Sequence, residues 1–164
     1  MDRYQYQYIS DNYPDEIEYS KDHIKIFTVD IECACENGFP DVENPVEEIL
    51  AVTVKNQSNK QIITWGTGEF KTDRPDVTYI RCKSEKSLIM EFMKFWIKNY
   101  PDIITGWNTK FFDIPYLMNR ICHIVDEKVI KRFSPWNLVE RESIVVRGRP
   151  QTHYSIFGIV MLDY

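Results

Sequence analysis

"FTVDIECACENGFP", residues 27–40, opens as a buried strand and is then interrupted by acids. Phe27, Val29 and Ile31 suit the inner face of a sheet, yet Asp30 and Glu32 fall between them. Side chains alternate along a strand. Thr28, Asp30 and Glu32 therefore share one face, and Phe27, Val29 and Ile31 fill the other. Two residues apart at roughly 3.3 Å rise each, the two acids stand about 7 Å from one another. That is too far to share a proton. It suits two oxygens reaching a common pair of metal ions, which in two-metal sites lie about 3.5–4 Å apart. The spacing describes equally well a half-exposed strand whose acids point to solvent.

Outward from this stretch, residues 24–32, 48–55 and 61–66 read as strands, with "NQSN" (56–59) turning between the last two. A loop rich in Gly, Asp and Pro leads to a strand at 77–82. The period then changes in "SEKSLIMEFMKFWIKNY" (84–100), where Leu88, Ile89, Phe92, Phe95 and Trp96 recur at helical spacing behind Ser84. Pro101 ends that helix, and "DIITGWN" (102–108) is a short buried strand. A second helix runs through 113–125, with Ile114, Leu117, Met118, Ile121 and Val125 on one face. Residues 141–164 read as a β-hairpin turning at Arg147-Gly148-Arg149-Pro150. Residues 1–23 are polar, tyrosine-rich and weakly periodic, a lead-in arm. Meandering strands followed by strand–helix–strand–helix predict an α/β or α+β fold on a mixed sheet. The strand-like "IVMLDY" (159–164) reads as core, so the expectation is a piece of something longer.

The bulk numbers narrow the possibilities. The 164 residues suffice for one domain, and 43% hydrophobic with 27% charged residues is ordinary for a globular protein. A net charge of −5 is no general attraction for nucleic acid, so a phosphate-bearing partner needs local basic residues or metal ions. No apolar run reaches transmembrane length, and the N-terminus lacks a signal-peptide core. Cys33, Cys35, Cys82 and Cys122 form no C-x-x-C pair and read as reduced thiols of a cytosolic protein. Cys33-Ala-Cys35 has no companion Cys/His pair at zinc-site spacing. His23, His123 and His153 fall outside the acidic motif and read as structural.

A second acidic motif lies in "GWNTKFFDIPYL", residues 106–117. Asp113 stands where the second helix begins, behind a strand ending near Trp107. An N-cap role would account for that Asp, and Pro115 in the first turn agrees. It accounts neither for Asn108 five residues earlier nor for Phe111 and Phe112 in a loop. A carboxylate at a helix start beside a strand end also occupies the crevice where α/β sheets bind ligands.

"FTVDIE" followed by "GFP", then "IITGWNTKFFDIPYLMNRI", resembles the 3′→5′ exonuclease domain of family B DNA polymerases, most of all those of T4-like bacteriophages. Asp30 and Glu32 match the first exonuclease motif, D-x-E. Asn108 to Asp113 match the second, in which an aromatic directly precedes the acid. The likeness extends to "YISDNYPDEIEY" (8–19), to the helix ending in "FW" and to the terminal "FGIVMLDY", and so spans nearly the whole chain. It implies a ribonuclease H-like fold, with 1–23 as a lead-in arm from the polymerase N-terminal region and 24–164 as a partial exonuclease domain. The implied activity is proofreading hydrolysis of the 3′-terminal phosphodiester of single-stranded DNA. Two Mg²⁺ or Mn²⁺ ions on Asp30, Glu32 and Asp113 would serve it, hard cations matched to oxygen ligands. Phe39 and Phe112 match positions that grip the terminal base, and base–aromatic stacking tolerates any base. Asn108 would hydrogen-bond substrate or form a turn. Arg147 and Arg149 would meet the DNA backbone from the hairpin tip. The implied partners are a single-stranded DNA 3′ end, the rest of the polymerase chain and, through it, a sliding clamp. The implied location is the cytoplasm of the infected host cell.

One element of the family pattern is absent. It calls for a fourth carboxylate four residues after a Tyr, on a later helix, and no Tyr here has an Asp four positions on. Asp163 is placed on the hairpin strand and does not fill that role. Three carboxylates set −3 against the +4 of two divalent ions, which predicts weakened metal binding and weak or absent activity. Two other readings stay open: a non-catalytic single-stranded DNA binding or strand-partitioning module, and a stand-alone ribonuclease H-like nuclease.

Overall fold

The computed structural model describes residues 3–14, 23–36, 38–146 and 148–163, with backbone only for 3–6, 146 and 149. Among the described residues, eight strands and four α-helices follow in the order α1 (Arg3–Asn12), β1 (Ile26–Cys33), β2 (Ile49–Asn56), β3 (Ile62–Gly66), β4 (Val77–Arg81), α2 (Glu85–Asn99), β5 (Ile103–Gly106), α3 (Asp113–Ile124), α4 (Glu127–Ile130), β6 (Val139–Val146), β7 (Arg149–Ile156) and β8 (Val160–Asp163). A 3₁₀ turn at Lys131–Phe133 follows α4. Six strands form one mixed sheet in the order β4-β3-β2-β1-β5-β8, and β6 with β7 forms a separate hairpin. Within the sheet β1–β2 and β2–β3 are antiparallel, and β3–β4, β1–β5 and β5–β8 are parallel. This is the mixed α/β architecture expected, consistent with an exonuclease domain of ribonuclease H-like type.

The core is the apolar face that the alternation predicts. Phe27, Val29 and Ile31 are buried, as are Ile49, Val52 and Val54 of β2. Ser84 starts α2 with a capping box: its side chain accepts from the Ser87 N–H, and the Ser87 hydroxyl accepts from the Ser84 N–H. The buried stripe of α2, Leu88, Ile89, Phe92, Met93 and Trp96, covers this face. Trp96 packs on Phe92 and Phe133, and its indole N–H donates to the Phe133 carbonyl at 2.9 Å.

One local expectation changes, and two helices are added to those drawn from the sequence. Residues 3–12 of the lead-in arm are helical, stabilised in part by i,i+4 side-chain bonds such as Gln7 to Asp11. The terminal segment is not a single hairpin: β6 and β7 pair with each other, while 160–163 turn away after Gly158 (φ +89°) and join β5. A second short helix, α4, follows α3, capped by the Asp126 carboxylate.

Behind the sheet lies a buried ion pair. Arg120 of α3 makes two bonds to Glu85 of α2, at 2.7 and 2.8 Å, with both side chains 8% exposed. The guanidinium also donates to the carbonyls of Pro45 and Val46, and the Glu85 carboxylate accepts from the Ile49 N–H. Removing one partner strands the other charge. Arg120→Leu is expected to lower unfolding stability by about 3 kcal/mol, and Arg120→Leu with Glu85→Met by less than the two single losses added. Urea denaturation of the three variants measures both quantities.

Candidate active site

The three parallel strands β1, β5 and β8 end on the same side of the sheet, and every acidic residue of interest collects there. β5 is only four residues long, and its pairing with β1 runs from Ile26↔Ile103 to Thr28↔Thr105. β1 continues to Cys33 and so leaves main-chain groups beyond Thr28 without a strand partner on that edge. Those groups are satisfied by the loop between β5 and α3. The Val29 carbonyl accepts from the Thr109 hydroxyl at 3.4 Å, and the Ile31 N–H donates to the Asp113 carboxylate at 3.0 Å. Both bonds are buried, where an unmet donor would cost about 1–3 kcal/mol.

That second bond brings the two sequence motifs together. Ile31 lies between Asp30 and Glu32, so Asp113 stands against the strand that carries both. Asp30 and Glu32 are exposed on the outer face and Asp113 is 4% exposed. Asp113 does not cap its helix; it is the first helical residue, the N-cap is Phe112, and no side chain caps that end. Its pKa is pushed up to about 7, by burial first, and further by the charges of Asp30 and Asp163, against the Ile31 N–H and its own backbone N–H. Burial also raises that of Asp30.

The loop is built to place these groups. Asn108 takes a left-handed conformation (φ 57°), which Asn tolerates, and its carbonyl accepts from the N–H groups of Phe111 and Phe112. Asn108 is thus a turn residue that also lines a cleft. Gly106 is required by close approach: a Cβ there would collide with the Thr109 hydroxyl and lie 2.9 Å from the Val29 carbonyl.

A cleft of about 490 Å³ is lined by Phe39, Asn108, Phe111 and Phe112, the last of these next to Asp113 in sequence, and by Pro150 to Thr152 of the hairpin. Its size falls in the range of ordinary ligand sites. Phe39 is 82% exposed, yet its ring centroid lies 5.3 Å from that of Phe112, which in turn stacks on Tyr116. The aromatic pair anticipated from sequence is therefore one surface. Arg147 lies outside the described residues. Arg149 pairs through its backbone with Val146 at the start of β7.

Asp163 was set aside from sequence as part of a hairpin strand. It belongs to β8 opposite Gly106, accepts from the Thr109 N–H at 3.1 Å, and adds its charge to the surroundings of Asp113. The parallel β5–β8 pairing, invisible to local pattern, puts it there. Glu43, Gln151 and Thr152, which also line the cleft, carry no local signal that singles them out. Among the described residues no three His, Cys, Asp or Glu side chains close around a single metal position. The donor set is nevertheless all oxygen, which fits hard divalent cations, and the buried carboxylate is crowded by like charge.

A profile of the DNA polymerase family B exonuclease domain matches residues 2–164. The chain belongs to that family. Its relatives include the DNA-directed DNA polymerases of Escherichia phage RB69 and Enterobacteria phage T4, each 31% identical over the full chain. The catalytic subunit of DNA polymerase delta from Dictyostelium discoideum is 30% identical over 85% of the chain and 14% of its own length. The chain spans 21% of each phage polymerase. As an exonuclease domain of this family it is of an enzymatic kind.

The close packing at Gly106 gives a direct check. Gly106→Ala is expected to push the Thr109 loop off β1 and lower unfolding stability by about 1–3 kcal/mol, read by urea denaturation. A change under about 0.5 kcal/mol would contradict the packing described.

Proposed function

We propose that Asp30, Glu32 and Asp113 hold two divalent ions, Mg²⁺ or Mn²⁺, and that this site hydrolyses the 3′-terminal phosphodiester of single-stranded DNA in proofreading. The observation that carries the reading is the bond from the Ile31 N–H to the Asp113 carboxylate, which unites the two acidic motifs. When bound, the ions lower the pKa of a water and stabilise charge on the phosphate and on the leaving 3′ oxygen. The chain's own contribution is placement. Asp30 and Glu32 project from one face of a rigid strand, and Asp113 is held by a backbone bond and by burial. Phe39 and Phe112 stack on the terminal base, and Asn108 lies within the same cleft to meet the sugar or phosphate. The resemblance also gives Arg147 and Arg149 a role in meeting the DNA backbone.

Residues 24–164 act as a partial exonuclease domain, joined through 1–23 to the rest of a polymerase chain that works with a sliding clamp in the host cytoplasm. No Tyr-x-x-x-Asp occurs in the 164 residues. With three carboxylates instead of four, the ions bind weakly and turnover by this chain alone is slow or absent. A non-catalytic strand-binding module is the second reading, favoured by the lack of a closed single-ion cluster among the described residues.

The buried carboxylate separates the two. In metal-free protein the native chain holds a proton on Asp113 up to about pH 7, whereas the unfolded chain releases it near 4. Native protein then binds more protons across that window, so stability falls as pH rises through it. Asp113→Asn keeps the acceptor for the Ile31 N–H and does not titrate. The variant is expected to fall less steeply from pH 4 to 7 and, at pH 8, to exceed the unaltered protein by on the order of 1 kcal/mol. Millimolar Mn²⁺ is expected to raise the melting temperature of the unaltered chain, and to leave both Asp113→Asn and Asp30→Ala with Glu32→Ala unmoved. An equal Mn²⁺ shift in all three proteins contradicts the assignment; oligonucleotide binding with no Mn²⁺ shift supports the second reading.

A further inference from the structure

The aromatic loop that carries Phe39 and the β6–β7 hairpin are far apart in sequence, and one side chain joins them. Glu43 Oε1 accepts from the Thr152 N–H at 3.1 Å, and Glu43 Oε2 accepts from the Arg141 guanidinium at 3.1 Å. Arg141 lies on β6 and Thr152 on β7. Its guanidinium also reaches the Thr152 hydroxyl at 3.4 Å. In a two-stranded hairpin each strand is an edge with outward-facing N–H groups, and the Glu43 carboxylate fills one of them. Beneath this clasp the loop is held by α3: Asn119 donates to the Val42 carbonyl at 2.8 Å and accepts from the Tyr154 hydroxyl of β7 at 2.6 Å. Glu43, Thr152 and Phe39 all line the aromatic cleft.

We infer that Glu43 is a positioning residue that clasps the hairpin to the aromatic loop, so that the two walls of the cleft close on the terminal nucleotide as one body. The inference rests on the strand-binding reading above and assigns a role to a residue outside both acidic motifs. Glu43 touches no reacting atom; it acts through Phe39 and the hairpin. It is distinguished from Asn119 by exposure. Glu43 and Arg141 are about half exposed, and pairs of that kind contribute little to global stability. Asn119 is buried, so its loss would disturb the whole domain. Glu43→Ala therefore loosens the clasp in a protein that stays folded.

Two measurements on the chain test this. The first is amide hydrogen exchange: Glu43→Ala is expected to speed exchange at Thr152 by about tenfold or more, with α2 amides unchanged. The second is binding of a short single-stranded oligodeoxynucleotide carrying a 3′-terminal 2-aminopurine, read by fluorescence. Phe39→Ala is expected to weaken binding roughly fivefold to a hundredfold, the range of one base–aromatic stack. Glu43→Ala is expected to weaken it on the order of fivefold, and the double variant by less than the product of the two single losses, because part of what Glu43 holds in place is the Phe39 contact. Glu43→Gln retains an acceptor for Thr152 and recovers part of the loss. Unchanged Thr152 exchange, or losses that multiply in the double variant, overturns the role. Failure of the unaltered chain to bind the oligonucleotide overturns the strand-binding reading and this function for Glu43 with it, while Thr152 exchange still decides whether the clasp exists.

Discussion

One hydrogen bond organises the functional edge of this domain: the N–H of Ile31, left without a strand partner where β5 ends, donates to the carboxylate of Asp113. A longer β5 would have satisfied the same N–H with a carbonyl and closed the edge. Because β5 stops at Gly106, a side chain 82 residues away in sequence completes the ladder. The acid that does so is buried beside two further acids. Stability alone would not favour this. A buried carboxylate among like charges is disfavoured, and the upward shift of its pKa to about 7 expresses that cost. Cations remove it.

The remaining construction serves that edge. α3 presents its acid at the strand ends and uses its next turns to hold the loop above: Tyr116 donates to the Glu47 carbonyl, Asn119 to that of Val42, and Arg120 to those of Pro45 and Val46. Thus the helix that places a proposed metal ligand also fixes the loop bearing Phe39. The buried Arg120–Glu85 pair ties the arrangement to α2 and the core. Glu43 extends it to the hairpin. One helix thus carries the buried acid and holds the loop that bears the exposed aromatic.

Much of this was legible in the sequence, because the signals were local. The alternation Phe27-Thr28-Val29-Asp30-Ile31-Glu32 placed each side chain on its correct face, and Ser84 marked the start of α2. The text around Asp30 and Asp113 identified the family that the profile match establishes. The failures were non-local. Asp113 was open to an N-cap reading, and only tertiary contact shows its carboxylate turned to Ile31 instead. Asp163 could not be placed without knowing that 160–163 leave the hairpin and pair with β5. The clasp made by Glu43 joins residues 98 and 109 positions apart, and nothing in either segment announces the other.

The central claim is that divalent ions are held between the end of β1 and the start of α3. Substoichiometric Mn²⁺ added to isotopically labelled protein tests it most directly, since the ion broadens amide resonances close to where it binds. The account predicts selective loss of signal at Ile31, Gly106, Thr109 and Asp113, with those of β3 and β4 retained. Broadening centred elsewhere, such as at Asp126 and Glu127 at the start of α4, or uniform weak broadening across the chain, would contradict it.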